Sequence, residues 1–132
     1  MRRVLLPALL AAAAACRGET GPNAGDLAVR LNAARPGDRA IVFVVTGHLH
    51  AVSAPAGGVS YRVFADTSAD GDTARVVVVA PVGSGLPAGE IARIRVDDTR
   101  KAGSHTARIV DIATAQYAVG DTVGASLTVV RP

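Results

Sequence analysis

The chain has 132 residues, with 14 Lys+Arg against 11 Asp+Glu, three histidines, one cysteine, no tryptophan, two tyrosines and two phenylalanines. A nucleic-acid surface needs a stripe of Lys/Arg and usually aromatic stacking platforms. The arginines are scattered, and only four Tyr and Phe residues are present in all, so this class of partner is excluded.

The N-terminus is organised for export. Met1-Arg2-Arg3 precedes an apolar run from Val4 to Ala15, which ends on small residues before Cys16. These are the n-, h- and c-regions of a secretory signal. As a helix, about 12 apolar residues span ~18 Å, short of the roughly 30 Å hydrocarbon core, which argues against a permanent transmembrane anchor. Simple cleavage after Ala15 would leave an unpaired thiol in an oxidising compartment, whereas lipidation consumes the sulfur. The segment resembles a bacterial lipoprotein signal, with Ala13 where the motif usually has Leu. That resemblance implies removal of residues 1–15, diacylglycerol on the Cys16 thiol and an envelope location. With Arg17 in place of Asp after the cysteine, the location in a Gram-negative cell would be the outer membrane. Because Arg2 and Arg3 leave with the signal and every acidic residue stays, the formal charge falls from +3 to about +1.

Cys16 to about Gly25 is a tether of turn-forming residues, Arg17-Gly18-Glu19-Thr20-Gly21-Pro22-Asn23-Ala24-Gly25. Residues 26–132 suit one domain. Leu27, Val29 and Leu31 alternate with Ala28 and Arg30, the period of a strand. Ile41-Val42-Phe43-Val44-Val45 is a continuous run, expected of a central strand covered on both faces. Residues 59–66 and 73–80 flank the Asp70-Gly71 turn signal and predict a hairpin. Ala92, Ile94 and Val96 alternate with Arg93 and Arg95. Thr106 to Val119 is apolar but irregular, and Val123, Ala125, Leu127 and Val129 alternate with polar neighbours. Seven to nine short strands without a helical stripe predict an all-β, two-sheet antiparallel sandwich, a barrel being the alternative.

Three segments carry a second resemblance. Arg35-Pro36-Gly37-Asp38 leading into Ile41–Val44, the run Gly83-Ser84-Gly85-Leu86-Pro87-Ala88-Gly89 before Ile91–Val96, and Val119-Gly120-Asp121-Thr122 before Ser126–Val130 resemble cohesin-type and related Ig-like surface sandwiches. Tyr61 is followed by Arg62 where many cohesins carry Tyr-Asp, so the resemblance implies the fold and no dockerin partner.

Few residues offer chemistry. In Gly47-His48-Leu49-His50, alternate residues share a strand face, so both imidazoles could reach one metal ion. The following Ala51-Val52-Ser53-Ala54 supplies no acid, and nothing in the sequence places His105 nearby. Two solvent-facing histidines at a strand end are the plain reading. Asp66, Asp70 and Asp72 could gather Ca²⁺, but their spacing departs from the EF-hand loop and Asp-Gly is ordinary hairpin chemistry. Asp97 and Asp98 are adjacent in a strand and so point to opposite faces, poor geometry for a catalytic pair. Gly83-Ser84-Gly85 lacks the spacing of a nucleophile elbow, no phosphate-binding glycine loop occurs, and no cysteine besides Cys16 is present. The expectation is a lipid-anchored protein with no catalytic, cofactor or metal site, serving binding, adhesion or envelope structure toward a protein or glycan partner. A metal-binding envelope protein using His48 and His50 is the alternative.

Overall fold

The computed structural model describes residues 21–57 and 60–132. The signal 1–15, Cys16, the first part of the tether and Val59 lie outside them. Among the described residues eight strands form: β1 (Gly25–Asn32), β2 (Asp38–Thr46), β3 (Ala51–Ser53), β4 (Arg62–Thr67), β5 (Thr73–Val79), β6 (Gly89–Val96), β7 (Thr106–Thr114) and β8 (Ser126–Val130). They make two four-stranded antiparallel sheets, ordered β3-β6-β1-β8 and β4-β5-β2-β7. The fold is a two-sheet antiparallel sandwich.

Period-two alternation builds the core directly. Leu27, Val29 and Leu31 of β1 and Ile94 and Val96 of β6 turn inward from one sheet. Ile41, Phe43 and Val45 of β2, Val76 and Val78 of β5 and Ile112 of β7 meet them from the other. These eleven residues, each 0–2% exposed, form a continuous apolar layer, the main stabilising term of a domain this size.

β2 is central, paired with β5 on one side and β7 on the other. Its cover differs from the expectation. Ile41, Phe43 and Val45 are buried, but Val42 and Val44 are only half-buried on the outer face, beside Val77 and Arg75 of β5. The continuous valine run therefore reflects pairing on both edges and burial on one face. The hairpin prediction is met by β4 and β5, with Phe64 opposite Val77. Phe64 itself points outward and is 58% exposed.

The sandwich starts slightly before Asp26. β1 begins at Gly25, the Asn23 amide is donated to Thr99 Oγ1 at 3.0 Å, and the Asn23 backbone N–H is donated to Asp98 Oδ1 at 3.3 Å. Beyond β6 the chain forms a short 3-10 helix, Thr99–Ser104, capped by Asp98, which accepts from the Arg100 N–H at 3.1 Å. Because Gly25 pairs with Val96 and Thr46 with Thr73 and Thr106, the chain enters the sandwich at the pole carrying loops 47–50, 68–72 and 97–105. The opposite pole carries loops 33–37, 80–88 and 115–125, joined where Leu86 N–H is donated to Asp38 O and Ala115 N–H to Gly37 O.

Candidate metal centre

The turn from β2 to β3 crosses between the sheets, and its backbone is pinned on three sides. Gly47 N–H is donated to Asp72 O, Leu49 N–H to Gly71 O and His50 N–H to Arg95 O, each at 2.9 Å. Leu49 is 1% exposed, an apolar plug between two outward-facing neighbours. Alternation about that plug puts His48 and His50 on the same outer surface, with ring centroids 5.3 Å apart in an edge-on arrangement. Both histidines occupy the turn itself, just beyond the strand end where the sequence placed them.

Gly47 makes the crossing possible. Its φ is +120°, in the range that side-chain-bearing residues rarely adopt, and a Cβ there would meet His105 Cδ2 at 2.6 Å. His105, 9% exposed, lies behind the turn, with Nδ1 3.1 Å from the Lys101 carbonyl and Nε2 3.0 Å from the His48 carbonyl. It thereby ties the turn to the 3-10 helix. Its ring nitrogens are occupied by backbone, so it is a brace for His48 and stands apart from the outer imidazoles.

Asp97, weighed in the sequence only as a poor catalytic partner of Asp98, is the residue whose place beside the histidines sequence reasoning missed. It follows β6 directly, and β3–β6 pairing delivers it beside the turn, with Ala51 opposite Arg95. Its Oδ1 lies 2.7 Å from His50 Nε2. A ligating atom from each of His48, His50 and Asp97 lies within 4.8 Å of the other two. Asp72, from the β4–β5 turn, lies 3.1 Å from His48 Nδ1 through its Oδ1. All four side chains are about half to two-thirds exposed. His48 and Asp97 border a cleft of about 220 Å³ that is also lined by Pro22, Val96, Lys101 and His105.

The other acidic candidates separate. Asp70 closes its own turn, accepting from Ser68 Oγ at 2.5 Å and Asp72 N–H at 3.0 Å, and these bonds hold its carboxyl below the usual range. Among the described residues Asp66, Asp70 and Asp72 do not converge as a ligand set. Asp98 caps the 3-10 helix and is held well below the usual carboxylate range by the Arg100 guanidinium, with the Arg100 and Asn23 backbone N–H groups adding to the effect.

The opposite pole is built differently. Val82, Tyr117, Val119 and Val123 are each at least 74% exposed on its loops. Tyr117 sits at φ +59° and is almost fully exposed, in a turn closed by its N–H donated to Thr114 O and by the Thr114 N–H donated to Ala118 O. It shares a groove of about 330 Å³ with Arg39, Pro81 and Val82.

Comparison of the chain with known protein families, with characterised proteins and with solved structures finds no match.

Proposed function

We propose that the chain is an envelope lipoprotein, anchored through acylated Cys16, whose cohesin- or Ig-like sandwich is a non-catalytic module for binding, adhesion or envelope structure. The observation that carries this reading is the polarity of the domain. The chain enters beside Asn23 and Asp98, while the large exposed apolar side chains Val82, Tyr117, Val119 and Val123 occupy loops at the far end. An anchor at one pole leaves the other free to meet a partner. An exposed Tyr with adjacent valines suits a protein surface or the apolar face of a sugar ring. The left-handed backbone at Tyr117, which Ala33 on the same pole also adopts, costs roughly 1–2 kcal/mol for a residue with a side chain.

Photo-crosslinking in living cells tests this reading, with a benzophenone amino acid placed at position 117 and, separately, at position 66, on the outer face of β4 near the pole opposite Tyr117. Adducts with protein or glycan from position 117 and none from position 66 support it. Equal labelling from both, or none from 117, overturns it. Tyr117→Gly is expected to leave the chain folded and membrane-bound while removing the interaction.

A further inference from the structure

We propose that His48, His50 and Asp97 form a binding site for an imidazole-preferring divalent transition-metal ion, Zn²⁺ or Cu²⁺. The site is independent of the anchor and of the partner face at the opposite pole. Three segments distant in the sequence converge on one point: the β2–β3 turn, the end of β6 and, behind His48, the β4–β5 turn. The donor set selects the ion. Two imidazole nitrogens and one carboxylate suit Zn²⁺ or Cu²⁺, while Ca²⁺ and Mg²⁺ require mostly oxygen ligands. Three protein ligands on a half-exposed surface leave further positions to water, so the ion is exchangeable.

The support around the ligands is also that of a metal site. Asp72 lies against His48 Nδ1, which leaves Nε2 as the nitrogen free to ligate the ion. A carboxylate on the far nitrogen of a ligating histidine orients the ring and raises its basicity. The His48 backbone is fixed from behind by His105 and from both sides by the Gly47 and Leu49 hydrogen bonds. His50 Nε2 and Asp97 Oδ1, now 2.7 Å apart, need to open to ~3.4 Å to share a tetrahedral ion with bonds of about 2.1 Å. Both side chains are exposed and end in freely rotating groups, so this opening involves no core residue.

The test uses the full chain in detergent, stripped with EDTA and titrated separately with Zn²⁺, Cu²⁺ and Ca²⁺ by calorimetry, with imidazole NMR signals followed in parallel. One equivalent of Zn²⁺ or Cu²⁺ and no Ca²⁺ is expected, with the His48 and His50 signals moving and those of His105 staying in place. His48→Ala and His50→Ala each abolish the binding, Asp72→Asn weakens it about 10- to 100-fold, and Asp70→Asn leaves it unchanged. Circular dichroism establishes that each variant is folded. No saturable Zn²⁺ or Cu²⁺ binding by the wild type overturns the proposal. So does binding that survives the His48→Ala/His50→Ala double substitution, or that moves the His105 signals instead.

Discussion

His50 Nε2 and Asp97 Oδ1 lie 2.7 Å apart although 47 residues separate them in the chain. Strand pairing between β3 and β6 holds the two together, and neither is buried. Exposed ion pairs contribute little to folding, with a median of about 0–1 kcal/mol. In metal-free buffer, replacing both His48 and His50 with Ala is therefore expected to change the unfolding free energy by no more than about 1 kcal/mol. Urea denaturation checks this. Gly47→Ala, one residue away, is expected to cost more, because its Cβ would meet the buried His105 ring at 2.6 Å and its φ of +120° is strained.

Phe43 is fully buried at the centre of β2, between Val76 of β5 and Ile109 of β7 in register. Truncation to Ala removes the largest core side chain and is expected to cost roughly 3–5 kcal/mol. Against a total of about 5–15 kcal/mol, that change leaves a marginal or unfolded domain. Phe64→Ala, on the outer face, is expected to be far milder, since that ring is already 58% exposed. Comparing the two urea midpoints measures which face of the sheet is the core.

Much of this architecture was legible because a half-buried strand writes its orientation into every second residue. Leu27/Val29/Leu31 and Ile94/Val96 could be assigned to the core before any pairing was known. The run 41–45 was harder, because Val42 and Val44 are apolar without being fully buried, and β-branched residues favour a central strand whichever face is covered. The candidate site was half legible. Gly47-His48-Leu49-His50 announces two imidazoles on one side, but Asp97 arrives through a long-range register that no local pattern encodes. Asp72 read as turn chemistry or as one of three Ca²⁺-gathering carboxylates of one loop, since hydrogen bonding to His48 depends on where the β4–β5 turn packs. Tyr117 had one available signal: it is a lone aromatic among small residues in a chain with few aromatics.

Acid stability follows from Asp98. Its carboxyl is held well below the usual range by the Arg100 side chain and by the N–H groups of Arg100 and Asn23. Since the folded-state pKa lies below the unfolded one, the contribution is fully present above about pH 4 and is lost as pH falls through the folded value. Asp98→Asn is expected to lower the melting temperature at pH 7, and its deficit against the wild type is expected to shrink steadily below about pH 3. Melting curves across this range decide the matter. A deficit independent of pH would assign the effect to lost packing and not to the ionised cap.

Intact mass spectrometry of the chain extracted from membranes with detergent tests whether lipid on Cys16 holds the sandwich at the envelope. The spectrum is expected to show a chain beginning at Cys16 and carrying the added mass of a diacylglycerol and an N-linked acyl group, and Cys16→Ser is expected to abolish that species and release the protein from the membrane fraction. A chain that keeps residues 1–15, or one that carries an unmodified Cys16 thiol, would contradict it.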